Sequence, residues 1–194
     1  MKMIVTRPQY DTTTKYLSVW AGEVINFAKE KGVEVFDLFK DKANKNDFVG
    51  RVKKLQPEII FLNGHGNDDC VAGHNDEKIV EVKNNHDILR DTITYALSCN
   101  SGKILGPKVV ENNTATYIGY QDEFIFVGNM NYLSRPQDDP MAKPFMEASN
   151  QVMISLLKGN EAQDASKKSK SKFEEHFVKL SSSNTDADSL QIAQ

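Results

Sequence analysis

Phe61-Leu62-Asn63-Gly64-His65-Gly66 closes an apolar run that begins at Glu58, and Tyr95-Ala96-Leu97-Ser98-Cys99-Asn100-Ser101-Gly102 closes another that begins at Thr92. Short apolar runs that stop in Gly- and Asn-bearing turns read as buried strands. Lying side by side and parallel, the two strands carry an imidazole and a thiol, thirty-four positions apart, to one carboxyl edge of a sheet. That edge is where open α/β sheets build their sites.

Toward the N-terminus the same pattern repeats. Lys2 to Thr6 is a first strand, and Thr12 to Lys31 carries Tyr16, Val19, Trp20, Val24, Phe27 and Ala28 at helical spacing. Asp11 or Thr12 is the N-cap, and Gly32 stops the helix. Val33 to Leu38 is a second strand. Asn46 to Leu55 is a short helix with Phe48, Val52 and Leu55 on one face, ended by Pro57, before the third strand from Glu58 to Asn63. Alternation of this kind predicts a mainly parallel sheet with right-handed crossovers.

After Gly66 the pattern changes. Cys70 to His74 and Lys78 to Val82 flank Asn75-Asp76-Glu77 as a small hairpin, and His86 to Arg90 is a helical turn. Thr92 to Ser98 is the fourth core strand, Lys103 to Glu111 a short helix, Thr116 to Tyr120 a fifth strand, and Glu123 to Val127 a further strand or a strand-like loop. The turn signals Arg135-Pro136 and Asp139-Pro140 make residues Asn129 to Pro140 a mobile surface loop. Pro144 to Leu157 is an amphipathic helix, broken at Gly159-Asn160. Glu161 to Leu180 is a more polar helix, and residues 181–194 form a polar, disordered tail. The chain is therefore expected to hold one α/β domain over residues 1–180, followed by that tail.

With 194 residues and a net charge of −3, the chain suits one domain and lacks the basic excess that nucleic acid demands. No segment approaches transmembrane length, and Met1 to Val5 enters a strand without a leader pattern, so neither a membrane nor a signal peptide is expected. Two cysteines, Cys70 and Cys99, are too few for a disulfide framework and point to a reducing cytoplasm, or to a fragment of a longer protein. His65, Asp68, Asp69, Cys70 and His74 fit no standard zinc spacing, and Asn67-Asp68-Asp69 does not complete a calcium cage, so no metal or other cofactor is expected. The Lys167 to Lys172 run reads as a solvated helix face, with a partner-docking surface as the alternative.

A Cys at a strand end is commonly a small core residue, and a loop His is commonly a surface group. Together they have a sharper reading. Cys99 stands before a turn and a helix start near Lys103, whose dipole favours the thiolate. His65 can serve as acid and base near neutral pH, between two glycines that let a substrate backbone approach.

In this order the two motifs resemble the His-Gly and Cys motifs of the caspase-like cysteine peptidases. With Ile104-Leu105-Gly106, Val109-Val110 and Tyr117-Ile118-Gly119-Tyr120, the chain looks most like the gingipain and CHAT branch. The resemblance covers roughly Lys2 to Val127, and more loosely the helix pair to Leu180. It departs from metacaspases at Leu97, where they carry an acidic residue, and lacks the caspase signature around the Cys.

The resemblance implies a three-layer caspase-like fold and a cysteine endopeptidase acting on protein or peptide substrates. Cys99 would attack the scissile carbonyl, His65 would protonate the leaving amine, and the amides of Gly66 and Cys99 would hold the oxyanion. No third triad residue is demanded. The loop after the first strand, Arg7 to Asp11, would help line the pocket. Asp11 at its floor would favour cleavage after a basic residue, Arg7 an acidic one, and plain N-capping is the other use for Asp11. Asp122 and Glu123 are further pocket candidates. Two alternatives stand beside the peptidase: a silent or latent module that binds a regulatory partner protein, and a receiver-like signalling domain. The second lacks a phospho-acceptor cluster. Enzymes of this kind are held inactive until cut, dimerised or triggered, and Asn129 to Pro140 is a place for such control.

Overall fold

A computed structural model describes residues 1–111 and 114–182. The elements are, in chain order, β1 (Lys2–Arg7), α1 (Thr12–Glu30), β2 (Glu34–Phe39), α2 (Lys45–Leu55), β3 (Ile59–Asn63), β4 (Gly66–Asn67), β5 (Cys70–Ala72), β6 (Lys78–Glu81), β7 (Ile93–Leu97), α3 (Leu105–Val110), β8 (Thr116–Gly119), α4 (Lys143–Leu157) and α5 (Ala162–Ser182). They fall into two compact units, one over Met1–Phe124 and one from Ile125 onward.

In the first unit five strands form one sheet in the order β2-β1-β3-β7-β8, every neighbouring pair parallel. From β1 the chain steps to β2 on one side, then crosses back to β3 on the other. Right-handed crossovers in opposite directions place their helices on opposite faces. The core follows that rule. Ile4, Ile60, Leu62 and Ala96 pack with Phe48 and Val52 of α2 and with Leu105 and Val109 of α3. The alternate residues Met3, Val5, Phe61, Tyr95 and Leu97, equally buried, face the other way, where the Tyr16, Trp20, Val24 and Ala28 stripe of α1 packs on β1, β2 and β3. The architecture is α/β, with a mainly parallel sheet flanked by helices, consistent with a three-layer caspase-like fold. The reversal of direction between β1 and β3 makes their carboxyl ends the switch point of the sheet.

The hairpin expected after Gly66 is present as a three-stranded antiparallel sheet, β4-β5-β6. The helix expected from Lys103 starts two residues later, at Leu105, because the amides of Ile104 and Leu105 already donate to the Asp68 carbonyl, at 3.0 and 2.9 Å. Residues Glu123 to Val127 join no ladder. Instead the Phe124 ring packs on Tyr120, centroids 5.0 Å apart.

The second unit is built on the hairpin of α4 and α5, locked by Ser169 Oγ donating to the Ala148 carbonyl at 2.7 Å. The stretch expected to be a mobile loop carries two short 3₁₀ turns, Met130–Tyr132 and Pro136–Asp138. It is fastened by the buried Asp139, whose carboxylate accepts from the amides of Asn129, Met141 and Ala142. Of the predicted tail, residues 181 and 182 extend α5, and residues 183–194 lie outside the described residues. Among the described residues no helix is long and apolar enough to cross a membrane.

Candidate active site

The strand that delivers His65 is clamped before it ends. Asn63, fully buried, donates its backbone amide to Thr6 Oγ1 and its side-chain amide to the Thr6 carbonyl, both at 3.0 Å. Gly64 N–H then donates to the Leu97 carbonyl at 3.3 Å, which ties the end of β3 to the end of β7. At φ +150° Gly64 holds a conformation that side chains avoid, and a Cβ there would stand 2.1 Å from the Ala72 carbonyl oxygen. Both glycines were expected to admit a substrate backbone. In the structure the space where a Gly64 Cβ would stand is taken by Ala72, and a Cβ on Gly66 would lie 3.0 Å from the carbonyl oxygens of both Cys70 and Cys99. Their smallness lets the β4-β5 hairpin and the Cys99 turn pack on each other.

His65 Nε2 lies 2.7 Å from Asp11 Oδ2. Asp11 is also the N-cap of α1, its Oδ1 accepting from Thr14 N and Thr14 Oγ1 at 2.7 Å each. Burial pushes the Asp11 carboxyl up, but the hydrogen bonds from His65 and from the Thr14 amide and hydroxyl, with the charge of His65, hold it below the usual aspartate range. An ionised Asp11 only accepts, so Nε2 of His65 carries a proton in this bond. The side chains remain 38 % (His65) and 39 % (Asp11) exposed, within reach of a ligand.

Cys99 stands one residue beyond buried Ser98, in a turn held by Asn100 N–H donating to the Asp122 carbonyl (3.1 Å) and Gly102 N–H donating to the Tyr120 carbonyl (2.8 Å). Asn100 supplies the left-handed residue of the turn, at φ 59°. The half-buried thiol lies 4.0 Å from the Phe124 carbonyl oxygen. The first amides of α3 are spent on Asp68, whose side chain also meets Lys103 Nζ at 3.8 Å, so the hairpin after His65 is fastened to the helix after Cys99. Cys70 differs from Cys99: it is buried, and burial pushes its thiol up.

The remaining candidates separate. Arg7 is committed elsewhere, to both carboxylate oxygens of Asp37, to the Ser18 carbonyl at 3.0 Å, and over the Phe39 ring at 4.6 Å. Asp122 is exposed, with its backbone against the Cys99 turn, and Glu123 beside it is exposed as well. Asn67 uses its side chain to cap the hairpin turn through the amides of Asp69 and Cys70. Among the described residues no group of three or more His, Cys, Asp or Glu stands close enough to hold a metal ion.

The link between Asp11 and His65 was missed in the sequence, as were Tyr10, edge-on to His65 with centroids 6.2 Å apart, and Asp76, which accepts from the Tyr10 hydroxyl. A carboxylate in the first turn after β1 was the available signal, since β1 and β3 are neighbours at the switch point. No protein-family model matches the chain, and no curated protein matches it.

Proposed function

We propose that this chain is a cysteine endopeptidase in which Cys99 is the nucleophile, His65 the proton carrier and Asp11 the group that orients His65. The contact that carries the reading is the 2.7 Å bond between Asp11 and His65 Nε2, at the sheet edge where the backbones of Gly66 and Cys99 meet. Nδ1 of His65 takes the thiol proton as Cys99 Sγ attacks the scissile carbonyl carbon, then passes it to the leaving amine as the C–N bond breaks. Water, deprotonated in turn at Nδ1, hydrolyses the thioester and frees the thiol. The amides of Gly66 and Cys99 are the oxyanion donors. The His65 carbonyl accepts from Ala72 N–H at 2.9 Å, so the Gly66 N–H, on the opposite side of the same trans peptide, points off β5.

With both oxygens of Asp11 engaged, a preference for a basic residue before the cleaved bond rests on Asp122, the acidic group next to the Cys99 turn. The substrates are proteins or peptides, no cofactor takes part, and the place of action is a reducing cytoplasm, in keeping with two free cysteines.

The test is labelling with peptide acyloxymethyl ketones bearing Arg, Lys, Asp or Leu beside the warhead, on the wild type, Cys99→Ala and His65→Ala. Labelling at Cys99 that is lost in the first variant and falls in the second is expected. No labelling by any probe, with or without calcium, overturns the active-peptidase reading and leaves a latent or silent module that works through a regulatory partner.

A further inference from the structure

We propose that Tyr10 is a positioning residue for His65, closing a ring of contacts that fixes the imidazole against Asp11. The proposal rests on the reading of His65 as the proton carrier.

The ring can be followed residue by residue. The His65 carbonyl accepts from Ala72 N–H at 2.9 Å, which fastens His65 to β5. The chain runs on from β5 through the His74–Asp76 turn, where Asn75 and Asp76 both adopt left-handed conformations, φ 55° and 59°. Asp76 accepts from the Tyr10 hydroxyl. Tyr10 is covalently next to Asp11, and Asp11 returns to His65 Nε2 at 2.7 Å. Inside this ring the Tyr10 ring stands edge-on to His65, at 6.2 Å and 73°, and to His74, at 5.3 Å and 74°. His74 is itself tethered by its backbone N–H to the Ala43 carbonyl at 2.7 Å.

Each contact removes a different freedom. The bond to Asp11 fixes one ring nitrogen but permits the imidazole to swing about the Nε2–Oδ2 line. The Tyr10 edge blocks that swing on one side. The Tyr10 hydroxyl, anchored on Asp76, in turn keeps Tyr10 from moving aside. Burial, the hydrogen bond to Asp76 and the charges of Asp76 and Asp11 all push the phenol above its ordinary range, so it stays a donor wherever the peptidase could work.

The test uses Tyr10→Phe, which keeps the ring and loses the anchor, together with Asp76→Ala and Asp76→Asn, the last keeping an acceptor oxygen. Two quantities are read on the full chain: the Cys99 labelling rate, split into its maximal rate and half-saturating probe concentration, and the NMR linewidths of the His65 ring. For Tyr10→Phe and Asp76→Ala we expect the maximal rate to fall about tenfold at unchanged half-saturation, as misplacement of a reacting group does, with broadened His65 signals. Asp76→Asn should restore both, and the double variant Tyr10→Phe/Asp76→Ala should be no worse than either single. Unchanged rate and linewidth in Tyr10→Phe overturns the inference. If the wild type does not label at all, the peptidase reading fails, and the linewidths alone decide whether Tyr10 holds His65.

Discussion

Gly66 and Cys99 touch through their backbones: a Cβ on Gly66 would lie 3.0 Å from the Cys99 carbonyl oxygen. The proposed acid-base loop and the proposed nucleophile turn therefore form one packed body. Gly66→Ala should force the two turns apart by a few tenths of an ångström. We expect it to slow Cys99 labelling while costing only about 1 kcal/mol of stability. Gly64→Ala should cost about 3 kcal/mol in urea unfolding, from its φ of +150° and the 2.1 Å approach of Ala72. Equal stability loss in the two variants would contradict this placement.

The two duties of Asp11 can be separated by substitution. Asp11→Ser keeps an N-cap oxygen for the Thr14 amide but cannot also reach His65, whereas Asp11→Ala loses both contacts. The alanine variant should lose about 1 kcal/mol of stability relative to the serine variant. Both should label at Cys99 about tenfold or more slower than the wild type. Full-rate labelling of Asp11→Ser would show that the contact with His65 is not used.

Acid should uncover the same group. The carboxyl of Asp11 is held below its ordinary range in the folded chain, so its contribution is fully present above the unfolded value of about 4. That contribution is lost as pH falls through the lower folded value. The stability difference between the wild type and Asp11→Asn, followed by thermal unfolding, should hold steady from neutral pH down to the ordinary carboxylate range and shrink only below it. A difference that disappears at higher pH would point to another group.

Cys70 and Cys99 should differ sharply toward iodoacetamide. Cys70 is 3 % exposed, with its thiol pushed up by burial, and Cys99 is half-buried beside a hairpin turn. Mass spectrometry of the folded chain should find alkylation at Cys99 and, at Cys70, only after unfolding. Modification of Cys70 first would contradict the packing of β5.

Specificity should follow Asp122 and ignore Arg7. Asp122→Asn is expected to lower the rate of the Arg probe relative to the Leu probe. Arg7→Ala should leave that ratio unchanged and weaken only the β1–β2 edge, where Arg7 holds Asp37 and covers Phe39. A ratio that moves with Arg7 alone would place the pocket on the other side of His65.

The helices and core strands were legible because their signals are local. The Tyr16, Trp20, Val24, Ala28 stripe and the apolar run that buries residues Ile59 to Asn63 are local patterns, and so is a cap at Asp11 or Thr12, of which the structure uses Asp11. The sequence left Glu123 to Val127 open between a strand and a strand-like loop, because a ladder needs a neighbouring edge, which no local pattern specifies; the structure makes it the loop. The fastening of the loop from Asn129 was illegible for a related reason: Asp139 looks like a turn residue, and its burial with three amides depends on how the surrounding chain folds.

Order along the chain, residue type and periodicity by themselves determined the α/β class and the arrival of His65 and Cys99 at strand ends. A parallel sheet with right-handed crossovers sends successive strand ends to one edge, so that conclusion requires no coordinates. Only the tertiary structure decided what surrounds them. Asp11 is fifty-four positions from His65, and Asp76 sixty-six from Tyr10. Such contacts come from strand order and from backbone approach at Gly64 and Gly66, set by packing of the whole unit rather than by any local preference.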